Sequence, residues 1–129
     1  MLKGRILVVD DEEIILMGIK GELEACGHEV VTVSNGKQAL ELVSEARFDI
    51  AFVDLVMPGL NGVEVCKGIK KEHPDTEVVL ISGHPSEIFK YQMDFYKAGG
   101  RDEVLRKPFV LGNELSRVVD NILREKEGK

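Results

Sequence analysis

Five side chains able to do chemistry share one kind of position in this sequence. Asp10 and Asp11, Asp54, Ser82 and Lys107 each end, or directly follow, a run rich in Val, Ile and Leu. The stretch DIAFVD at 49–54 shows why this matters: its apolar residues suit a protein interior, yet it stops on a carboxylate. An ionised carboxylate at the end of a buried strand must be paired, hydrated or bound to metal. If the strand ends converge, three carboxylates within about 5 Å repel one another by roughly 3 kcal/mol per pair at an effective dielectric near 20. Such a cluster needs a raised pKa or a cation. With only oxygen ligands, Mg²⁺ suits it better than zinc or copper. A divalent ion, the Lys107 ammonium and the Ser82 hydroxyl could together hold the oxygens of a phosphoryl group, with Asp54 as the candidate nucleophile. Taken singly, each residue has an ordinary role: a turn or cap for the Asp and Ser, a solvated charge for the Lys. Their shared position at strand ends carries the functional reading.

The elements that must position them are legible as an alternation. Apolar runs at RILVVD (5–10), EVVTVS (29–34), DIAFVD (49–54), EVVLIS (77–82) and the weaker EVLRK (103–107) alternate with helix-length segments. This predicts a parallel sheet with helices on both faces, hence an α/β fold. In such a sheet ligands gather outside the carboxyl ends of the strands. Ile15, Ile19, Leu23 and Cys26 keep helical spacing before a stop at Gly27. Ser34 or Asn35 can cap a second helix with Ala39, Leu42, Val43 and Ala46 inward. A third runs from about Gly62 until His73 and Pro74 end it. The last follows Pro108, with Leu111, Leu115, Val118, Val119 and Ile122 on one stripe.

Composition narrows the function. The 129 residues fit one domain, are 43% hydrophobic and 31% charged, and contain no apolar run near the ~20 residues that span a bilayer. The start MLKGRILVVDDEE reaches acidic residues too soon for a signal peptide, so a cytoplasmic location is expected. A net charge of −6 without a basic run argues against direct nucleic-acid binding. Cys26 and Cys66 form no metal or redox motif and read as buried, reduced thiols. His28 and His73, both beside turns, read as solvated.

With these residues in view, the whole chain resembles the receiver domain of two-component response regulators. VVDDEE (8–13), DLVMPGLNG (54–62), LISGH (80–84) and KPF (107–109) match that family's four signatures in order. The resemblance implies a flavodoxin-like (βα)5 three-layer sandwich with strand order 2-1-3-4-5. It also implies phosphoryl transfer to Asp54 from the histidine of a sensor kinase or phosphotransfer protein. Asp10, Asp11, Asp54 and the Val56 carbonyl would bind Mg²⁺, and Ser82 and Lys107 would contact the phosphoryl group. Such a module catalyses only its own phosphorylation and dephosphorylation and signals through the face of its fourth helix, fifth strand and fifth helix, where homodimers form.

The sequence departs from the family in two regions. Val104 stands where an inward-turning aromatic usually reports phosphorylation, and the segment from Ser82 to Lys107 is lengthened, with an extra glycine in AGG (98–100). Val56 and His84 occupy positions that tune water access; an apolar Val56 favours a longer-lived phosphate. The fourth helix holds four of the seven aromatic residues on two stripes, Phe89, Met93 and Tyr96 on one, Tyr91 and Phe95 on the other. Spacing leaves two readings open. The first stripe is core and the second partly exposed, or the second also belongs to an output surface.

Two other functions compete. A phosphatase of the haloacid-dehalogenase type needs Asp-x-Asp, whereas Leu55 and Val56 follow Asp54. A degenerate receiver would serve as a docking or dimerisation module, or as a phosphate sink; the complete set of five site residues weighs against it.

Overall fold

The computed structural model describes residues 2–107 and 114–128. Pro108, Phe109 and Leu111, which patterning assigns to the last motif and the final helix, lie outside the described residues. The order is β1 (Arg5–Val9), α1 (Glu13–Ala25), β2 (Glu29–Val33), α2 (Gly36–Val43), β3 (Ile50–Asp54), α3 (Gly62–Glu72), β4 (Glu77–Ser82), α4 (Pro85–Lys97), β5 (Val104–Arg106) and α5 (Glu114–Glu127). The strands form one parallel sheet, β2-β1-β3-β4-β5, as expected of a flavodoxin-like fold.

Two apolar layers explain this arrangement. Strand side chains alternate between sheet faces. Leu7, Val9, Ala51, Val53, Val78 and Leu80 therefore pack with Ala39, Val43, Val65, Cys66, Ile69 and Phe95 of α2, α3 and α4. Ile6, Val8, Ile50, Phe52, Val79 and Ile81 pack on the other side with residues of α1 and α5, including Leu23 and Val119. The central strand β3 is buried at every position. This is why its sequence reads as a continuous apolar run.

Caps and turns define the helix ends. Asn35 accepts the Gln38 N–H at 2.8 Å and starts α2, so Asn35 rather than Ser34 is the cap. Asn61 and Glu64 form a reciprocal capping box at the start of α3. Gly27 (φ +92°) and Gly99 (φ +100°) adopt left-handed conformations after α1 and α4.

The fourth helix inverts the first of the two readings of its aromatics. Phe95 is 1% exposed and Tyr91 packs against the core, while Phe89, Met93 and Tyr96 are 91%, 63% and 58% exposed. Placing Phe95 on an output surface is likewise corrected, whereas Tyr91 stays half-buried. The inward stripe is Ile88 and Phe95, both buried, with Tyr91 half-buried beside them, and the Phe95 ring lies against Gly100, leaving no room there for a Cβ. The extra glycine is thus a packing requirement. It lets the chain close beneath a large ring just before β5.

Three smaller expectations also change. His28 is buried, and its Nδ1 accepts the Gly4 N–H at 3.0 Å. His73 is half-buried and its Nε2–H donates to the Val43 carbonyl at 2.7 Å. Both rings satisfy backbone groups at helix and strand termini. Cys66 is buried as expected, but Cys26, just beyond the end of α1, is half-exposed; both thiols are free.

Candidate functional site

The carboxyl ends of β1, β3 and β5 bring three of the predicted residues into direct contact. Lys107, just after β5, places its Nζ 2.7 Å from Asp10 Oδ2 and 3.4 Å from Asp54 Oδ2. Its own N–H donates to the Ser82 carbonyl at 2.9 Å, continuing the β4–β5 register beyond the strand. Asp10 is held from both sides: its N–H donates to the Val33 carbonyl, and its Oδ1 accepts the Glu12 N–H at 2.8 Å. Asp11 joins the group, with carboxylate oxygens of Asp10, Asp11, Glu12 and Asp54 all within 4.8 Å of one another. Asp54, Asp11, Glu12, Val56 and His84 line an open crevice at this end of the sheet.

Asp54 is fixed by the loop that follows it. The Leu55 N–H donates to Ile81, and Leu55 itself is buried, so the chain stays in register with β4 one residue past the strand. Gly59 turns the chain at φ +79°, and Asn61 caps α3. Gly62 then packs so closely that a Cβ there would lie 2.6 Å from the Asp54 carbonyl oxygen. The Asn-Gly pair in the motif thus has two separate tasks: Asn61 starts the helix and Gly62 lets it approach.

Electrostatics at the site are unbalanced. Asp54 is 2% exposed, and burial together with the Asp10 charge pushes its pKa up to about 6, against the pull of Lys107. Burial also raises Asp10, again opposed by Lys107. Burial works against the Lys107 ammonium as well, but its bonds to Asp10 and Glu12 outweigh this and hold it above its ordinary value. Among the described residues Asp54 Oδ1 is buried with no hydrogen-bond partner. A buried carboxylate oxygen of this kind, inside an all-oxygen donor set, fits a hard divalent cation.

The other predicted residues are placed differently. Ser82 is fully buried at the end of β4, and its hydroxyl accepts the His84 N–H at 3.1 Å. His84 is the exposed N-cap of α4, and Val56 is 39% exposed on the same crevice. Val104 is half-buried against the layer beneath α2, α3 and α4. Glu12 was not foreseen: its Oε1 lies 2.7 Å from Lys107 Nζ. Its place directly after Asp10 and Asp11, at the N-cap of α1, was the available signal.

Comparison with known proteins defines the class. The family model for the response regulator receiver domain matches residues 6–119. The chain is 32% identical over 126 residues to the alkaline phosphatase synthesis transcriptional regulatory protein PhoP of Bacillus subtilis, covering 98% of this chain and 51% of PhoP. It spans about half the length of the curated relatives it matches. Among solved structures, a CheY-like receiver domain from Methanospirillum hungatei superposes with a TM-score of 0.89 at 29% identity, covering 99% of this chain and 98% of that one. The response regulator TrrA of Thermotoga maritima, in complex with Mg²⁺-BeF, gives 0.78 at 34% identity, covering 92% and 97%.

The chain belongs to the response regulator receiver domain family. It is a receiver domain of two-component systems, a module of phosphorylation-based signalling whose family membership implies a histidine kinase or phosphotransfer partner. Among the described residues no helix is long and apolar enough to cross a membrane.

Proposed function

We propose that residues 1–129 form a single receiver domain in which Asp54 accepts a phosphoryl group from a phosphohistidine of a sensor kinase or phosphotransfer protein. One observation carries the reading: a buried, unpartnered carboxylate oxygen on Asp54, beside Lys107 and in an open acidic crevice. A carboxylate oxygen of Asp54 attacks phosphorus as the donor's N–P bond breaks, and the imidazole nitrogen keeps the electron pair and takes up a proton. Asp10, Asp11, Asp54 and the Val56 carbonyl would hold Mg²⁺, which supplies positive charge that screens the carboxylates and orients the phosphoryl oxygens. Lys107 binds a second phosphoryl oxygen. The Ser82 hydroxyl, which now accepts from His84, turns to a third. The domain catalyses its own phosphorylation and dephosphorylation and acts on no external substrate.

Lifetime and output follow from the departures in sequence. Val56, apolar and exposed at the crevice, cannot orient an attacking water, whereas His84 can, so the two residues set the phosphate lifetime in opposite senses. With Val104 in place of an aromatic, the signal passes through α4 packing. The α4-β5-α5 face forms a homodimer through Phe89, Met93 and Tyr96, whose exposure on one stripe supports an association surface. The donor protein lands on the start of α1, where Ile14 and Met17 are 77% and 65% exposed next to the acidic cluster. The domain works in the cytoplasm and makes no direct contact with nucleic acid.

Incubation with acetyl phosphate and Mg²⁺, followed by mass spectrometry and sedimentation, tests both parts. One phosphoryl group on Asp54, absent in Asp54→Asn, and a shift toward dimer lost in Phe89→Ser are expected. A wild-type protein that gains no phosphoryl group would sink the reading. Phosphorylation without association favours a phosphate sink, an alternative supported by Val104.

A further inference from the structure

Lys107 has more partners than a phosphoryl-binding lysine can keep. Its ammonium has three N–H donors. They face Asp10 Oδ2 at 2.7 Å, Glu12 Oε1 at 2.7 Å and Asp54 Oδ2 at 3.4 Å, and the side chain is only 7% exposed. A phosphoryl oxygen can therefore reach Lys107 only by taking the place of one carboxylate.

The three carboxylates are not equally easy to displace. Asp54 is the acceptor and stays at the site. Asp10 is fully buried, and stripping its cation would leave an uncompensated charge in the interior. The Glu12 side chain is 55% exposed and can return to water at little cost. Glu12 also stands at the N-cap of α1 without capping it by its side chain. Its side chain instead bridges 95 residues of sequence to Lys107.

We infer that Glu12 is a latch on Lys107: in the resting domain it holds the ammonium at the crevice rim, and phosphorylation proceeds by exchange of the Glu12 carboxylate for a phosphoryl oxygen. This rests on Asp54 being the phosphoacceptor and deepens that reading. Glu12 is then a positioning residue. It touches no reacting atom, and it sets how readily Lys107 is released to the phosphoryl group. Removing it should make the site take up phosphoryl-like anions more readily.

The test compares wild type with Glu12→Gln and Glu12→Asp, the second keeping the charge while shortening its reach. Beryllofluoride with Mg²⁺ serves as the phosphoryl mimic. Both variants should bind it about threefold more tightly, the scale of one exposed ion pair. In the metal-free, unmodified proteins, the Lys107 Nζ resonance should shift and its ammonium protons should exchange faster in both variants. A merely structural role for Glu12 would not move that signal. Glu12→Asp behaving as wild type would mean that the charge acts through space, and the latch fails. Mg²⁺ alone binding markedly more weakly to Glu12→Gln would make Glu12 a metal ligand and also overturn it. Should no protein bind beryllofluoride, the reading of Asp54 falls, and the metal-free Lys107 signal still decides the latch.

Discussion

The two ends of the sheet handle charge in opposite ways. At the amino end, Arg101 binds Glu77 at 2.7 Å, Glu103 at 2.8 Å and Glu125 at 3.1 Å, and Lys70 adds a second cation at Glu77 and donates to the Pro74 and Thr76 carbonyls. These groups retain some contact with water, and each has an opposite charge beside it. At the carboxyl end, Asp10, Asp11, Glu12 and Asp54 crowd one ammonium, and the deepest of them are almost wholly buried. The first arrangement ties α5, β4 and the approach to β5 together. The second keeps an excess of negative charge of the kind that a bound cation relieves. One fold therefore uses the same residue types for cohesion at one pole and leaves them under electrostatic stress at the other, where the proposed chemistry takes place.

The difference can be tested by removing charges from each pole in Mg²⁺-free buffer. Lys107→Met should have the largest effect, a loss of about 3 kcal/mol in urea melts at neutral pH, because Asp10 and Asp54 lose the cation that pairs with both in a buried setting. Acidification should restore part of it. Asp54→Asn should act in the opposite direction. Its carboxyl titrates near pH 6 in the folded protein against 3.8 ordinarily, so ionisation opposes folding above pH 6, and removing it should add on the order of 2 kcal/mol at pH 7. A neutral result there would mean that the carboxyl pole is not strained by its charge.

Arg101→Met comes next, at about 1–2 kcal/mol of lost stability, reduced by salt, since Glu77, Glu103 and Glu125 are left facing one another at a part-exposed site. The smallest effect separates the poles by pH. Burial holds the pKa of His28, near the amino end, below its ordinary 6.5, so below that pH the unfolded chain binds a proton that the folded one resists, and stability falls with acid. Asp54 does the reverse between about pH 6 and 3.8, where the folded state takes the proton first. His28→Asn keeps an acceptor for the Gly4 N–H and should flatten the acid loss between pH 7 and 5. An unchanged slope would remove His28 from the account.

Much of this was legible in the sequence because strand ends are strongly patterned. A buried parallel strand must be apolar throughout, so a carboxylate at its end stands out, and Asp10, Asp54 and Lys107 could be expected to meet. The facing of α4 could not be read this way. Both of its stripes are apolar and both keep helical spacing, so periodicity does not choose between them. What decides is Gly100, where only a hydrogen fits beneath the Phe95 ring, a contact that depends on tertiary placement. His28 and His73 were misread for a related reason. A turn in sequence suggests water, but here each ring reaches back to a main-chain group from a different element. Glu12 had only its place beside Asp10 and Asp11 to mark it, and that place does not show that a lysine 95 residues away will come to it.

Gly62 has a consequence of a different kind. A methyl group at this position would press on the main chain of Asp54 and Leu55, 2.6 and 2.8 Å away, and neither atom belongs to a side chain that could yield. On the role proposed for Asp54, the domain could therefore be silenced without altering any ionisable residue. A genetic screen for loss of signalling should return substitutions at position 62 beside those at position 54, and the two classes would look alike in the cell. In the test tube they would differ, because a displaced Asp54 still carries its charge and an absent one does not.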